Sequence, residues 1–214
     1  MPRTIQPELL DTLPPQHPDA VHSRRDLRVI NRIMGNPAWF RRAVCPRIHK
    51  GERALEIGAG TGELARQLAI WGVPTDGLDR VPPPVHWPSA LAWHSDDLRS
   101  FAHYTDYPVV LGNLIFHHLS DEELGELGEK LRPSARLIAA CEPARRPLSQ
   151  IFLRILGPLV GANQVTLHDA HVSIAGGFSG KELPNALGLF EPEWKIECTE
   201  NAMGAYHLIA TRRE

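Results

Sequence analysis

Three glycines in alternation, Gly58, Gly60 and Gly62, fall between an apolar tetrapeptide, Ala54-Leu55-Glu56-Ile57, and a helical pattern from Glu63 to Trp71. In that pattern Leu64, Leu68 and Trp71 share one face. A glycine-rich turn between a strand and a helix lets the backbone approach a ligand closely, with the helix N–H groups facing it. A strand that passes directly into a helix returns to its sheet by a crossover, which makes the next strand parallel. The same alternation repeats downstream. Val73 to Leu78, Ala90 to His94, Tyr107 to Leu114 and Ala135 to Cys141 read as strands. Ser120, with Glu123 three residues on, forms a capping box for a helix ending near Leu131. An apolar helix is expected over Leu148 to Leu159 and another over Gly180 to Leu189. Trp194 to Cys198 and Ala205 to Thr211 close the chain as an antiparallel hairpin at one sheet edge. The fold class is therefore α/β, a mostly parallel sheet with helices on both faces.

Upstream of this repeat, residues 23–45 read as two helical pieces broken at Gly35-Asn36-Pro37. Leu27, Ile30, Ile33 and Met34 lie on one face of the first piece. Proline clusters at Pro14–Pro18 and at Pro82–Pro84 with Pro88 are read as excluding helix. With 214 residues, 43% hydrophobic and 22% charged, the chain suffices for one domain with a substantial core. A net charge of −2 offers nucleic acid or an anionic membrane no basic face. The longest apolar stretch, Ile151 to Gly161, is interrupted by Arg154 and spans no bilayer. The opening MPRTIQPELLDTLPP has no signal-peptide pattern, so a soluble cytoplasmic protein is expected. Cys45, Cys141 and Cys198 form no CxxC pair and read as small buried residues.

The glycine turn carries the chemistry. A dinucleotide fingerprint GxGxxG would require glycine at 63, where the chain has Glu63. Glu56 stands two positions before Gly58, and Asp79 ends the second strand 21 residues after Gly58. That spacing suits a carboxylate accepting both hydroxyls of a ribose. Glu56-x-Gly58-x-Gly60-x-Gly62 followed by Asp79 resembles the first two motifs of the class I S-adenosylmethionine-dependent methyltransferases. Further matches follow in order. Trp93-His94-Ser95-Asp96-Asp97-Leu98 supplies the carboxylate expected after the third strand. Val109-Val110-Leu111-Gly112-Asn113-Leu114-Ile115-Phe116-His117-His118-Leu119 resembles the fourth motif of small-molecule members. The resemblance runs from about residue 50 to the end of the chain.

This resemblance implies a Rossmann-like, seven-stranded sheet of order 3-2-1-4-5-7-6. It implies one domain over residues 1–214: a helical cap at 1–45, a cofactor-binding half at 46–142, and an acceptor-side lid with the hairpin at 143–214. The cofactor is S-adenosyl-L-methionine, with contacts expected from Glu56, Gly58, Ala59, Gly60, Gly62, Asp79, Arg80, Asp96, Asp97, Leu98, Asn113 and Leu114. Asp79 is expected at the ribose and Asp97, in preference to Asp96, at the adenine amine. The chain departs from the family at Val81-Pro82-Pro83-Pro84-Val85-His86-Trp87-Pro88, where a helix is usual. Val81 or Trp87 must then supply the adenine wall. Asn113 is followed by Leu-Ile-Phe, not the Pro-Pro-aromatic of enzymes acting on amino nitrogens in macromolecules. The expected acceptor is a small hydrophobic or aromatic molecule, met by a monomer or homodimer. His117, and His168 oriented by Asp169, are candidate general bases toward an acceptor hydroxyl. No HxH or HxxxH spacing supports a metal, and none is assigned. Two readings stand beside this one: a cofactor- or partner-binding protein without catalysis, and an NAD-dependent oxidoreductase, which Glu63 and Glu56 disfavour.

Overall fold

The computed structural model describes residues 2–14, 16–146 and 161–213. Seven strands form one sheet: β1 (Ala54–Ile57), β2 (Thr75–Asp79), β3 (Trp93–Ser95), β4 (Val109–Asn113), β5 (Leu137–Pro143), β6 (Trp194–Glu200) and β7 (Ala205–Arg212). Their order is β3-β2-β1-β4-β5-β7-β6. β1 to β5 pair in parallel, while β7 runs antiparallel to both β5 and β6. This is the seven-stranded Rossmann-like sheet anticipated from the sequence.

Strand periodicity divides the core between the two faces. Leu55, Ile57, Val110, Ile138 and Ala140 pack on one side with Leu124, Leu127 and Leu131 of α5 (Asp121–Leu131). Ala54, Val109, Leu111, Ala139 and Cys141 pack on the other, with Leu64 and Leu68 of α4 (Glu63–Ile70). Ser120 accepts from the Glu123 N–H and Glu123 reaches back to the Ser120 N–H, so the expected capping box begins α5. β3 is shorter and later than expected. Gly77 of β2 makes room for the Trp93 ring, since a Cβ there would stand 2.6 Å from it.

The N-terminal segment contributes α1 (Leu9–Thr12), α2 (Pro18–Ile33) and α3 (Asn36–Trp39), the last running on through a π turn at Phe40–Val44. Gly35, at φ 78°, breaks α2 from α3 where the sequence places the break. Helix α2 starts at Pro18 itself, against the expectation that the first proline cluster excludes helix. Proline's missing N–H costs nothing at a first helical position. After residue 160 come α6 (Gln164–Gly176), which the sequence reading did not assign, and α7 (Glu182–Ala186), shorter than expected. The apolar helix expected over Leu148 to Leu159 lies outside the described residues. Among the described residues, no helix is long and apolar enough to cross a membrane.

Candidate functional site

The carboxyl ends of β1, β2 and β4 open onto a cavity of about 500 Å³, within the usual range for small-molecule sites. Gly58, the first residue of the glycine turn, lines it. Gly58, Gly60 and Gly62 all take left-handed backbone, at φ 64°, 54° and 64°. At Gly58 a Cβ would stand 2.5 Å from the Ile115 side chain, while Gly60 has open space. Asp79 stands beside this turn. One of its oxygens accepts from the Gly60 N–H at 2.7 Å and the other from the Val81 N–H at 3.1 Å. The carboxylate thereby locks β2's end to the turn while remaining on the cavity wall.

Gly58, Asp79, Arg80, Asp96, Asp97 and Leu98 all line the cavity. Asp97 is half-buried and tied to Arg99, which donates from its backbone at 2.8 Å and from its guanidinium at 3.3 Å. Burial raises the Asp97 carboxyl, and Arg99 with Arg80 outweighs that, holding it below the usual carboxylate range. Asp96 is exposed and accepts from the Asp97 N–H and the Ser100 hydroxyl. Val81 lines the cavity, whereas Trp87 packs over Gly62, 2.3 Å from where a Cβ would sit. Trp93 donates to the Val81 carbonyl at 3.0 Å and braces this extended, proline-rich segment.

The remaining sequence-assigned positions lie back from the cavity. Glu56 is buried and accepts from the Ala65 N–H at 2.8 Å, capping α4 from beneath. Burial pushes its carboxyl up to about 8. One Glu56 oxygen thus serves the helix N-terminus, and the residue is not on the cavity wall. Ala59 and Gly62 supply backbone bonds that close the turn. Asn113 accepts from Asn36, tying α3 to the end of β4. Leu114, at φ 61°, donates to the Cys141 carbonyl.

The two candidate bases also change role. His117 is buried between two carboxylates, with Nδ1 2.6 Å from Glu142 and Nε2 3.6 Å from Glu8. Burial opposes its charge, but Glu142 and Glu8 override it and raise its pKa to about 9. An imidazolium at neutral pH does not take up a proton, and the ring is off the cavity wall. His168 is exposed, contacts Asp169 at 3.0 Å and does not line the cavity. Asp169 is buried and accepts from the N–H groups of Leu9 and Leu10, so it anchors α1.

The cap expected over residues 1–45 does reach the cavity, through its first residues, which the sequence reading did not single out. Ile5, Gln6, Pro7, Glu8 and Asp11 all line the cavity. Arg3 pins this segment, donating to the carbonyls of Leu119 at 2.6 Å and Gly176 at 2.8 Å and pairing with Asp121. Glu142 was missed as well. Fully buried at the end of β5, it accepts from the N–H groups of Ile115, Phe116 and His117. His118 does line the cavity. Burial and the neighbouring His117 charge lower its pKa, so it is neutral at pH 7. Glu8, His117 and His118 bring one ligand-type atom each within 4.8 Å of one another. Glu8 is 109 residues before His117, so no spacing rule would have joined them.

No protein-family model and no curated protein sequence matches the chain. Solved structures do. The plantazolicin methyltransferase BpumL, in complex with a triazolic desmethylPZN analog and SAH, aligns with a TM-score of 0.70 at 12% identity. That alignment covers 96% of this chain and 93% of that one. Magnesium protoporphyrin IX methyltransferase (ChlM) from Synechocystis PCC 6803 with bound SAH gives 0.56 at 20% identity, over 89% and 86%. A structure from work on the conversion of a disulfide bond into a thioacetal group during echinomycin biosynthesis gives 0.58 at 17% identity, over 84% and 80%. The chain has the fold these proteins share.

Proposed function

We propose that this protein is an S-adenosylmethionine-dependent methyltransferase acting on a small, apolar acceptor. The observation that carries the reading is Asp79 on the cavity wall, fixed to the left-handed glycine turn by the Gly60 N–H. The solved relatives with SAH or SAM bound support it at the level of the fold. Asp79 accepts the ribose hydroxyls, and Asp97, steadied by Arg99, meets the adenine amine with Asp96 beside it. Val81 and Leu98 make the apolar adenine walls, with Arg80 at the rim. Gly58 and Gly60, with Ala59 and Gly62 shaping the turn and Asn113 and Leu114 closing its far side, admit the methionine portion.

The bound cofactor supplies an electrophilic methyl group on a sulfonium. What the chain contributes is position and the exclusion of water. The segment from Ile5 to Asp11 covers the cavity, and Ile115 and Leu119 line it beside Glu8 and His118. Two apolar side chains with one carboxylate and one imidazole suit an acceptor that is largely hydrophobic and carries one polar group. His117 holds the covering segment through Glu8 instead of taking the acceptor proton. We place the protein in the cytoplasm as a single domain, monomeric or homodimeric, with no nucleic-acid partner.

Calorimetric titration with S-adenosylmethionine, S-adenosylhomocysteine and NADH tests the reading. Binding of the two sulfur cofactors with no heat from NADH is expected; a preference for NADH overturns it. Turnover against phenols, quinols and lipophilic acids then ranks acceptors.

A further inference from the structure

We propose that Glu8, His117 and His118 form a binding site for a first-row divalent transition cation, opening into the cavity beneath the N-terminal segment. One atom from each residue falls within 4.8 Å of the others. His117 Nε2 stands 3.6 Å from Glu8 Oε1, beyond hydrogen-bonding distance. Two ligands on one tetrahedral cation with bonds of about 2.0–2.1 Å stand roughly 3.3 Å apart, close to that separation. For this pair a closure of a few tenths of an ångström suffices, and side-chain rotation within the 4.8 Å grouping brings in the third ligand, His118.

The surroundings are those of a held ligand set. Glu142 holds the Nδ1–H of His117 at 2.6 Å, so that when a cation displaces the Nε2 proton, Nε2 is left as the ligand atom aimed at Glu8. Glu142 is itself fixed by the N–H groups of Ile115 and Phe116, both at 3.0 Å. The Ser173 hydroxyl donates to Glu8 Oε1, the oxygen that faces His117, and so fixes its position. An ion pair would need one imidazole; here two imidazoles, tilted 35° to each other with ring centres 4.1 Å apart, stand near one carboxylate. Glu8 is 8% and Glu142 0% exposed, so two carboxylates are buried in one small volume, and a dication offsets both.

Two imidazoles and one carboxylate suit zinc, iron(II) or cobalt(II) better than the oxygen-seeking magnesium or calcium. Because Glu8 and His118 also line the cavity, the remaining coordination positions face it, as in sites that act on a ligand. A cation there lowers the pKa of a bound water or acceptor hydroxyl, a task that His117 is placed to serve only as a ligand. This inference stands on side-chain geometry and does not require the methyl-transfer reading.

The test uses the whole chain. Zinc titration of the chelator-treated protein, followed by calorimetry and metal analysis, is expected to give one equivalent per chain. Glu8→Gln and His118→Ala should each weaken binding at least tenfold, with folding checked by circular dichroism. Cobalt(II) added to the unsubstituted protein should give the visible bands of a nitrogen- and oxygen-ligated site, a readout that needs no variant. Absence of stoichiometric zinc and of those bands overturns the proposal, as does zinc affinity unmoved by both substitutions. S-adenosylhomocysteine binding is measured on the same samples. Its absence with zinc retained sinks the methyltransferase reading alone, and zinc lost with it retained sinks only this one.

Discussion

Two polar clusters at the carboxyl ends of the strands are built in opposite ways. The cluster at Asp79 draws on the glycine turn and on Val81, neighbours along one strand–turn–helix unit, and remains on the cavity wall. The cluster at Glu142 gathers Glu8, His117 and Ser173 from four separate segments and is buried, with Glu142 at 0% exposure. The first keeps a carboxylate available to a ligand. The second consumes its carboxylate on four protein donors and binds the N-terminal segment to the sheet. One cluster should therefore govern affinity, and the other stability.

Glu142→Ala gives the largest effect if that division holds. It strands three backbone N–H groups and leaves the His117 imidazolium with Glu8 alone, and breaking such a buried pair costs about 3–5 kcal/mol. Urea denaturation should show the loss, and Glu142→Gln should recover part of it. A stability within about 0.5 kcal/mol of the unsubstituted protein would break the contrast. Asp79→Ala should do the reverse. Cofactor affinity falls by roughly 2–4 kcal/mol, because charge-assisted bonds to two hydroxyls are lost. Its unfolding free energy should move by about 1 kcal/mol, for the two N–H bonds to the turn. Cofactor affinity unchanged within threefold removes Asp79 from the site.

The glycine turn sharpens the same line one residue at a time. Gly58→Ala meets Ile115 at 2.5 Å as well as a left-handed φ, and Ile115 lines the cavity. Gly60→Ala carries the backbone penalty into open space. The former should cost about 2–3 kcal/mol in stability and lower cofactor affinity; the latter should cost about 1 kcal/mol of stability by strain alone, both read from thermal melts and calorimetry. Equal penalties would mean that Ile115 yields freely.

The sequence made the first cluster legible because its chemistry is local. A turn needing left-handed backbone at 58, 60 and 62 announces itself in composition, and Asp79 follows at a fixed distance along a strand. Alternation and the short hairpin at the end gave the mostly parallel sheet with an antiparallel edge, and the family resemblance implied the strand order. The second cluster was illegible for the converse reason. Nothing local marks Glu8, in a short proline-flanked stretch, as the partner of a histidine after β4. Glu142 reads as one more residue of an apolar strand. His168 and Asp169 looked like a catalytic pair, but Asp169 spends both oxygens on the N–H groups of Leu9 and Leu10. The expected His168–Asp169 contact is there at 3.0 Å, but it lies off the cavity wall and its carboxylate also anchors α1.

The N-terminal segment has a second, non-ionic attachment, and acid should separate it from the first. Trp39 stacks on His207 of β7, ring centres 4.5 Å apart and planes 7° from parallel. His207 is 6% exposed, and burial pushes its pKa down to about 4 from an ordinary 6.5. A histidine with a depressed folded pKa is stabilising while neutral. Below 6.5 the unfolded chain takes up a proton that the folded chain refuses until about 4. Stability contributed here is therefore complete above 6.5 and is lost as the pH falls toward 4. Glu56 works in the opposite sense. Its folded pKa of about 8 lies above its unfolded value, so its contribution grows as the pH falls from 8 toward 4.5. A single melt-versus-pH curve mixes the two, and the difference between the unsubstituted protein and His207→Phe isolates one. Phenylalanine keeps the stack on Trp39 and removes the proton site. From pH 7 to pH 5 the unsubstituted protein should lose about 1–2 kcal/mol relative to the variant. A pH-independent difference would show that the Trp39 stack holds the segment without excluding the charged imidazole.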